Sequence, residues 1–263
     1  MAGEFALIER LLHQAGSASA GQPPGLLLGP GDDCALIAPP AAGEAWAITT
    51  DMLVEGTHFL GTDNPEDLGW KTLAVNLSDL AAMGARPRYV TLAVSLLATD
   101  DSTGWVDRFF SGFIACANQY DVALIGGDTT CGPRSFSVTA IGTVKPDQAL
   151  RRNGARDLDD IWVSGNPGLA ALGLAHKLGT TTLPPALAER ASVALHHPQP
   201  RIALGLALAG LAHSCLDVSD GLLQDLGHIA QASGLAASLQ LETLPTAPEQ
   251  VAITLWQQCL LGG

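Results

Sequence analysis

Hydrophobic and polar positions in the first half of the chain follow strand and helix periods in turn. Tyr89–Leu97 and Ser135–Val144 alternate apolar and polar residues, as half-buried strands do. Gly84 and Pro87 stand where a C-cap glycine and a helix breaker are expected, so a helix should end near Met83. The predicted elements, in chain order, are a helix over 4–15, a strand over 45–50 that ends at Asp51, a helix over 68–83, a strand over 89–97, a helix over 105–116, a strand over 122–125 and a strand over 135–144.

A polar stretch, Lys145–Asp160, separates this pattern from the second half of the chain. We place a domain boundary there, with an N-terminal domain over residues 1–150 and a C-terminal domain over residues 151–263. Asn166-Pro167 is typical of a helix N-cap followed by a first-turn proline. The other elements predicted beyond the boundary are strands over 161–165 and 236–241 and helices over 201–212 and 222–233, which makes this half α+β.

The composition is that of a folded globular protein. The chain has 263 residues, of which 47% are hydrophobic and 15% charged. Its formal net charge of −13 disfavours nucleic acid and anionic membrane surfaces as partners. The longest apolar stretch with helical character, residues 202–212, is shorter than the roughly 18 to 20 residues that a membrane span needs. No membrane-spanning segment is therefore predicted.

The N-terminus and the cysteines indicate a reducing compartment. Glu4 and Glu9 lie where a secretory signal would have its basic and apolar regions. The five cysteines include no C-x-x-C pair, so they fit neither a disulfide framework nor a zinc ribbon. We therefore expect a cytoplasmic protein with reduced thiols.

Five short segments place a carboxylate beside glycine or hydroxyl residues at the edge of an apolar element. Such oxygen ligands suit Mg²⁺, which proteins commonly hold with one or two carboxylates together with substrate phosphates. Neighbouring glycines allow backbone N–H groups to approach phosphate oxygens. Two carboxylates about 4 Å apart repel by roughly 1 to 4 kcal/mol, so several could converge only around bound cations. The segments are Gly29–Asp33, Thr49–Asp51, Asn76–Asp79, Gly126–Thr130 and Asp217–Gly221.

Simpler interpretations stay open for these residues. Each segment alone is more typical of a turn than of a binding site, and only the five together favour a site. Thr72, Asn76 and Asp79 share one face of the predicted helix, and a solvated face explains that spacing as well as a binding site does. His58 alone predicts a packed surface residue, and Arg152, beside a second arginine, fits a solvated linker charge.

Other nucleotide and metal motifs are excluded. The chain has three lysines, and none of them lies in a G-x-x-x-x-G-K-[ST] phosphate loop. Neither G-x-S-x-G nor H-E-x-x-H occurs. Asp217–Gly221 resembles the start of an EF-hand calcium loop, but His228 occupies the twelfth position, where a glutamate is required.

In their order and spacing, the five segments resemble the thiamine-monophosphate kinase family, which belongs to the aminoimidazole ribonucleotide synthetase superfamily. The block Asn76–Ala85 is the most specific part, and the resemblance runs from Gly3 to the last residue. It implies a two-domain fold, α/β and α+β. An N-terminal domain would bind ATP and Mg²⁺ and form a homodimer through its sheet, and a C-terminal α+β domain would close over the nucleotide.

The resemblance also implies a reaction and a role for each matching residue. The γ-phosphoryl group of ATP would pass in line to thiamine monophosphate, giving thiamine diphosphate in the last step of its biosynthesis, with no phosphoenzyme and no catalytic nucleophile. His58 is implied as a substrate contact, and Gly127, Asp128, Arg152 and Ser219 as nucleotide contacts. The implied Mg²⁺ ligands are Asp33, Thr49, Thr50, Asp51, Asp79, Asp128, Asp217 and Asp220.

The family pattern continues beyond Gly262-Gly263 with a segment that contributes to substrate recognition, which implies a C-terminal domain that is incomplete in this sequence. Two alternatives remain. One is another ATP-using member of the superfamily, such as a hydrogenase-maturation enzyme or a selenophosphate synthetase. The latter ordinarily carries a reactive cysteine or selenocysteine in an N-terminal glycine-rich loop, and residues 1–30 contain no cysteine. The other alternative is a module that binds Mg-ATP without turnover.

Overall fold

The computed structural model describes residues 10, 11, 13, 23–29, 34–249 and 251–262. The chain divides into two compact units: one holds the residues up to Ala149 together with Pro200–Leu206, and the other holds Leu150–Gln199 and the residues from Ala207 onwards. The segment 200–206 thus groups with the first unit, although its place in the sequence puts it in the second half. Most of the predicted helix over 4–15 lies outside the described residues, and so does Asp33.

A mixed sheet forms the centre of the first unit. The strands of this unit are β1 (Leu26–Leu28), β2 (Leu36–Ile37), β3 (Ala45–Val54), β4 (Arg86–Leu96), β5 (Ala123–Cys131) and β6 (Ser135–Val144). In the central sheet, β3, β6, β4 and β5 lie side by side in that order; β6 is antiparallel to both of its neighbours, and β4 is parallel to β5. A small antiparallel sheet joins β1 to β2.

Helices α1 (Pro65–Ala82) and α2 (Trp105–Gln119) pack together on one face of this sheet. The helix α1 begins three residues earlier than predicted, because Asn64 Oδ1 accepts the N–H of Glu66 at 3.0 Å and a proline occupies the first turn. The two helices approach closely at a glycine: a Cβ on Gly112 would lie 1.8 Å from the carbonyl oxygen of Glu66.

Aromatic rings fill the core between the helices and the sheet. Phe109 and Phe136 are fully buried, and their ring centroids lie 4.5 Å apart. Phe59, which follows β3, stacks on Phe136 at 5.4 Å and so anchors the connection that leaves the strand. At the border of this core, the Arg134 guanidinium pairs with the buried carboxylate of Asp100, with Arg134 Nε 2.9 Å from Asp100 Oδ2.

The second unit is built from helices around a separate core of leucines, Ala191 and Trp256. The Trp256 indole donates to the carbonyl of Pro245 at 2.8 Å. The helices beyond Ala149 are α3 (Leu169–Lys177), α4 (Pro185–His196), α5 (Ile202–Leu208), α6 (Leu222–Ser233) and α7 (Ile253–Leu261), with short 3₁₀ turns at Arg152–Gly154 and Leu241–Thr243. None of the described helices, in either unit, is long and apolar enough to pass through a bilayer.

Several predicted elements of the second half are wrong. Residues 161–165 and 236–241 form no strand, and Trp162 is 88% exposed. An isolated strand cannot satisfy its backbone groups, and no strand is present among the described residues of this unit to pair with either segment. The helix α3 begins at Leu169, and its N-cap residue is Gly168, with a φ of 85°, instead of the predicted Asn166. The helix α5 ends at Leu208, four residues early.

Candidate functional site

The strand β3 is longer than predicted, and this determines where its polar side chains lie. It continues past Asp51 to Val54, so Thr49, Thr50 and Asp51 are all inside the strand. Successive side chains of a strand point to opposite faces. Asp51 pairs with the fully buried Val138, which places Thr49 and Asp51 on the face that the helices cover. Thr50 lies on the other face, where its hydroxyl is 2.9 Å from that of Thr139.

The polar face of α1 packs against β3. Thr72 and Asn76 are each only 1% exposed, so a solvated helix face is the wrong interpretation for them. Asn76 Oδ1 accepts the backbone N–H of Asp51 at 3.0 Å, and Asn76 Nδ2 donates to the carbonyl of Thr72 at 3.1 Å. The Thr72 hydroxyl donates to the carbonyl of Leu68 at 2.7 Å. These buried polar groups are therefore satisfied, and the bond between Asn76 and Asp51 joins the helix to the strand.

One turn further along α1, Asp79 reaches the same strand. The Thr49 hydroxyl donates to Asp79 Oδ2 at 2.5 Å, the length of a strong hydrogen bond to a carboxylate. We call the contacts of Thr49 and Asp51 with Asn76 and Asp79 the α1–β3 contact. It fixes hydroxyl and carboxylate oxygens on two regular elements, and these are the ligand atoms that hard cations prefer.

The acidic residue of the segment Gly126–Thr130 lies on the opposite face of the sheet. The strand β5 extends to Cys131, so Gly126–Thr130 lies inside the strand. The sequence prediction, which placed this segment after the end of the strand, is wrong on this point. Asp128 pairs with the exposed Ala93 and is itself exposed, which places it on the face that carries Thr50. Gly127 is required for close packing, since a Cβ there would lie 2.0 Å from the carbonyl oxygen of Leu92.

His58 is held in a defined tautomer at the turn that follows β3. Its Nδ1 accepts the backbone N–H of Val54 at 3.1 Å, so the ring proton of the neutral imidazole is on Nε2. The backbone is held as well: Lys71 Nζ donates to the carbonyl of His58 at 3.3 Å, and the adjacent Phe59 is buried. The side chain is exposed, which leaves Nε2–H as a hydrogen-bond donor at the surface.

In the second unit, the sequence analysis missed Asp225. Its side chain is only 4% exposed, and its Oδ2 accepts the backbone N–H groups of Ser219, Asp220 and Gly221 at 2.9, 3.2 and 3.1 Å. An acid in the first turn of a helix is a recognisable signal, because it interacts favourably with the helix N-terminus. The sequence does not reveal that this carboxylate accepts hydrogen bonds from the loop before the helix.

Arg152, the other predicted nucleotide contact of this unit, lies on the 3₁₀ turn Arg152–Gly154 and is exposed. Its carbonyl accepts the hydroxyl of Ser233 at 3.0 Å, and the same hydroxyl accepts the N–H of Ala155 at 3.2 Å. The backbone that carries the guanidinium is thus attached to the end of α6.

Among the residues that the structure describes, no three histidine, cysteine, aspartate or glutamate side chains come close enough together to hold a metal ion. A cation at the α1–β3 contact would take its remaining ligands from water and substrate phosphates, which is the usual mode for magnesium. The structure brings the side chains of Thr49 and Asp79 together and holds the backbone of Asp51 against Asn76, and it places Thr50 and Asp128 on the other face of the sheet. Asp217 and Asp220 lie in the second unit.

Comparison with known proteins gives a consistent result over most of the chain. Residues 31–144 match the family model described as AIR synthase related protein, N-terminal domain. The thiamine-monophosphate kinase of Escherichia coli K12 is 45% identical over 244 residues, which cover 92% of this chain and 73% of that protein.

Solved structures similar to this chain belong to the same family as the sequence relatives. The crystal structure of thiamine-monophosphate kinase from Stenotrophomonas maltophilia K279a has a TM-score of 0.86 and 47% identity, and the match covers 99% of this chain and 83% of that one. The structure described as AaThiL complexed with AMPPCP and TMP has a TM-score of 0.68 and 30% identity, with 88% and 71% of the two chains covered.

Replacing Asn76 by leucine tests the α1–β3 contact. The substitution keeps the approximate volume of the side chain but leaves the N–H of Asp51 without its acceptor, so we expect the free energy of unfolding to fall by about 1 to 3 kcal/mol. Urea denaturation measures this. Asn118→Leu on the exposed side of α2 is the matched control, expected to change the free energy by less than about 0.5 kcal/mol. Equal midpoints for the two variants would contradict the assigned role of Asn76.

Proposed function

Since this chain belongs to the thiamine-monophosphate kinase family, we propose that it transfers the γ-phosphoryl group of ATP to thiamine monophosphate. The observation that carries the proposal is the α1–β3 contact, which holds the Asp79 carboxylate against the Thr49 hydroxyl within the part of the chain that matches the family model. One further point supports ATP as the phosphoryl donor: the related AaThiL structure is described as complexed with AMPPCP and TMP.

The proposed reaction is a direct displacement. An oxygen of the substrate phosphate forms a bond to the γ-phosphorus while the bond from that phosphorus to the bridging oxygen of ADP breaks, so thiamine diphosphate and ADP leave together. No side chain forms a covalent intermediate. In phosphoryl transfer of this kind, the protein contributes mainly position and charge stabilisation. Rigid helix and strand positions such as those of Asp79 and Thr49 suit that task.

We propose Mg²⁺ as the cation at the α1–β3 contact, held by the oxygens of Thr49, Asp51 and Asp79. When bound, Mg²⁺ neutralises phosphate charge, a role that lysine has in other kinases. The donor set fits, since all of its atoms are oxygens and two belong to carboxylates. The chain's own contribution is to hold these oxygens in place through the Asn76 and Thr49 hydrogen bonds.

The remaining implied residues are proposed in the same roles. Asp128 and Asp79 should bind different cations. Asp79 contacts β3, and Asp128 is on β5, which is three strand spacings, roughly 14 Å, from β3. The two side chains are also on opposite faces of the sheet. His58 is proposed to donate from Nε2 to the substrate. The other proposed ligands of Mg²⁺ are Asp33, Thr50, Asp217 and Asp220, and the other proposed nucleotide contacts are Gly127, Arg152 and Ser219.

A second copy of this chain is the proposed partner. The outer face of the sheet, which carries Ile48, Thr50, Met52 and Thr139, exposes 65% of Ile48 and 55% of Met52. Large apolar side chains exposed on the same face of a sheet are typical of a protein interface. We also propose that the enzyme works in the cytoplasm, where ATP is available, and the five free thiols agree with a reducing compartment.

Measurement of ADP formation tests the proposed reaction. We expect ADP only when ATP, thiamine monophosphate and Mg²⁺ are all present, and none in excess chelator. Asp79→Asn keeps an acceptor for the Thr49 hydroxyl but removes the negative charge, so kcat/KM should fall at least about tenfold and the Mg²⁺ requirement should rise. Asp147→Asn, at an exposed turn, is the control and should leave both unchanged. A clear preference for another phosphoryl acceptor would refute the substrate assignment.

Light scattering after size-exclusion chromatography tests the proposed homodimer. The wild-type chain should elute as a dimer, and Ile48→Glu should elute as a folded monomer because a charge would be buried at the interface. Val193→Glu, at a position of α4 that is 57% exposed, is the matched control and should leave the mass unchanged. A monomeric wild type, or an unchanged dimer in Ile48→Glu, would show that this face is not the interface.

A further inference from the structure

We propose that Asp225 is a positioning residue, whose buried carboxylate holds the loop 217–221 in the conformation from which the side chains of Ser219, Asp217 and Asp220 act on the nucleotide and its cations. The inference rests on the proposed function and adds to it a residue that does not itself touch the nucleotide. Its basis is the geometry of the loop and of the first turn of α6.

One carboxylate oxygen organises the loop. Asp225 Oδ2 accepts three consecutive backbone N–H groups, those of Ser219, Asp220 and Gly221, at 2.9 to 3.2 Å. Consecutive N–H groups can converge on one atom only if the backbone curls around it. The side chain of Asp225 is 4% exposed, whereas Ser219 and Asp220 are exposed. The carboxylate of Asp225 therefore lies on the buried, concave side of the loop, and the side chains of Ser219 and Asp220 lie on its exposed side.

This arrangement changes the role expected of the loop backbone. A loop of glycine and hydroxyl residues ordinarily suggests N–H groups that cradle a phosphate. Here the N–H groups of Ser219, Asp220 and Gly221 already donate to Asp225. Direct contact with a phosphate must then come from the Ser219 hydroxyl, while the carboxylates of Asp217 and Asp220 act through bound cations.

The opposite side of the loop is held by close backbone packing. Gly221 has a φ of 136°, and a Cβ there would lie 2.3 Å from the Cα of Gly262, just after α7. On the outside of the curl, Gln224 Nε2 donates to Asp220 Oδ2 at 3.1 Å, which restrains that carboxylate. The loop thus has support from α6 and from the end of α7, and Asp225 supplies the charged part of that support.

The first test uses Asp225→Asn, which keeps the shape of the side chain but removes the charge that three N–H donors share. We expect the amides of residues 219–221 to lose hydrogen-exchange protection while the rest of α6 keeps its own. The dissociation constant of Mg-ATP, measured by calorimetry, should rise about tenfold or more, as for other residues that orient ligands. Glu189→Gln, an exposed acid of α4, is the control and should change neither measurement.

The second test does not depend on how well an Asp225 variant folds. Ser219→Ala retains the backbone N–H and removes the hydroxyl, whereas Ser219→Thr retains both. If the hydroxyl makes the phosphate contact, the alanine variant should bind Mg-ATP at least about tenfold more weakly and the threonine variant should bind within about threefold of wild type. Equal affinity in Ser219→Ala and wild type would overturn the inference.

The outcomes separate this inference from the proposed function. A wild-type chain that binds no Mg-ATP would overturn both. A wild type that binds Mg-ATP but does not phosphorylate thiamine monophosphate would overturn only the proposed reaction, because binding and exchange need no turnover. Lost protection of residues 219–221 with an unchanged Mg-ATP affinity, or unchanged protection in Asp225→Asn, would overturn only the role of Asp225.

Discussion

The candidate site depends on a pair of hydrogen bonds that join a helix to the first strand of the sheet. Thr49 donates to the carboxylate of Asp79, and Asp51 donates through its backbone to Asn76. β3 is an edge strand, paired on one side only, with β6. The N–H groups on its other side therefore need acceptors from another element. Asn76 supplies one, at a position that is almost completely buried. The polar face of α1 is therefore part of the packing, and the carboxylate that it carries has a fixed place.

Apolar packing determines where that helix can lie. Leu73 and Leu77 are fully buried in the core shared with α2 and the sheet. The contact at Gly112, where a Cβ would collide with the backbone of α1, brings the two helices together. Polar and apolar stripes of α1 are thus both covered. The hydrogen bond from Asp51 of β3 to Asn76, and the bonds that Thr72 and Asn76 donate to carbonyls of their own helix, compensate for the burial of these two side chains. A site built on such elements is preorganised.

The sequence predicted the elements better than it predicted the directions of side chains. The bounds of β6 and α6 are confirmed, and α1 differs only at its ends. β3 and β5 were predicted too short because Thr49–Asp51 and Gly126–Thr130 have the composition of loops, and strand pairing overrides that preference. A buried polar stripe and a solvated one have the same helical period, so only the structure distinguishes them. Asp225 was missed because its partners are backbone N–H groups, which carry no signal in the side-chain pattern.

We propose that the α1–β3 contact binds the cation that accompanies the transferred phosphate. A crystal structure of this chain with a non-hydrolysable ATP analogue and Mn²⁺ in place of Mg²⁺ tests it most directly, because anomalous scattering locates the metal. We expect an anomalous peak at about 2.1 Å from a carboxylate oxygen of Asp79 or Asp51. Bound nucleotide with its metal ions, and no peak at either carboxylate, would contradict it.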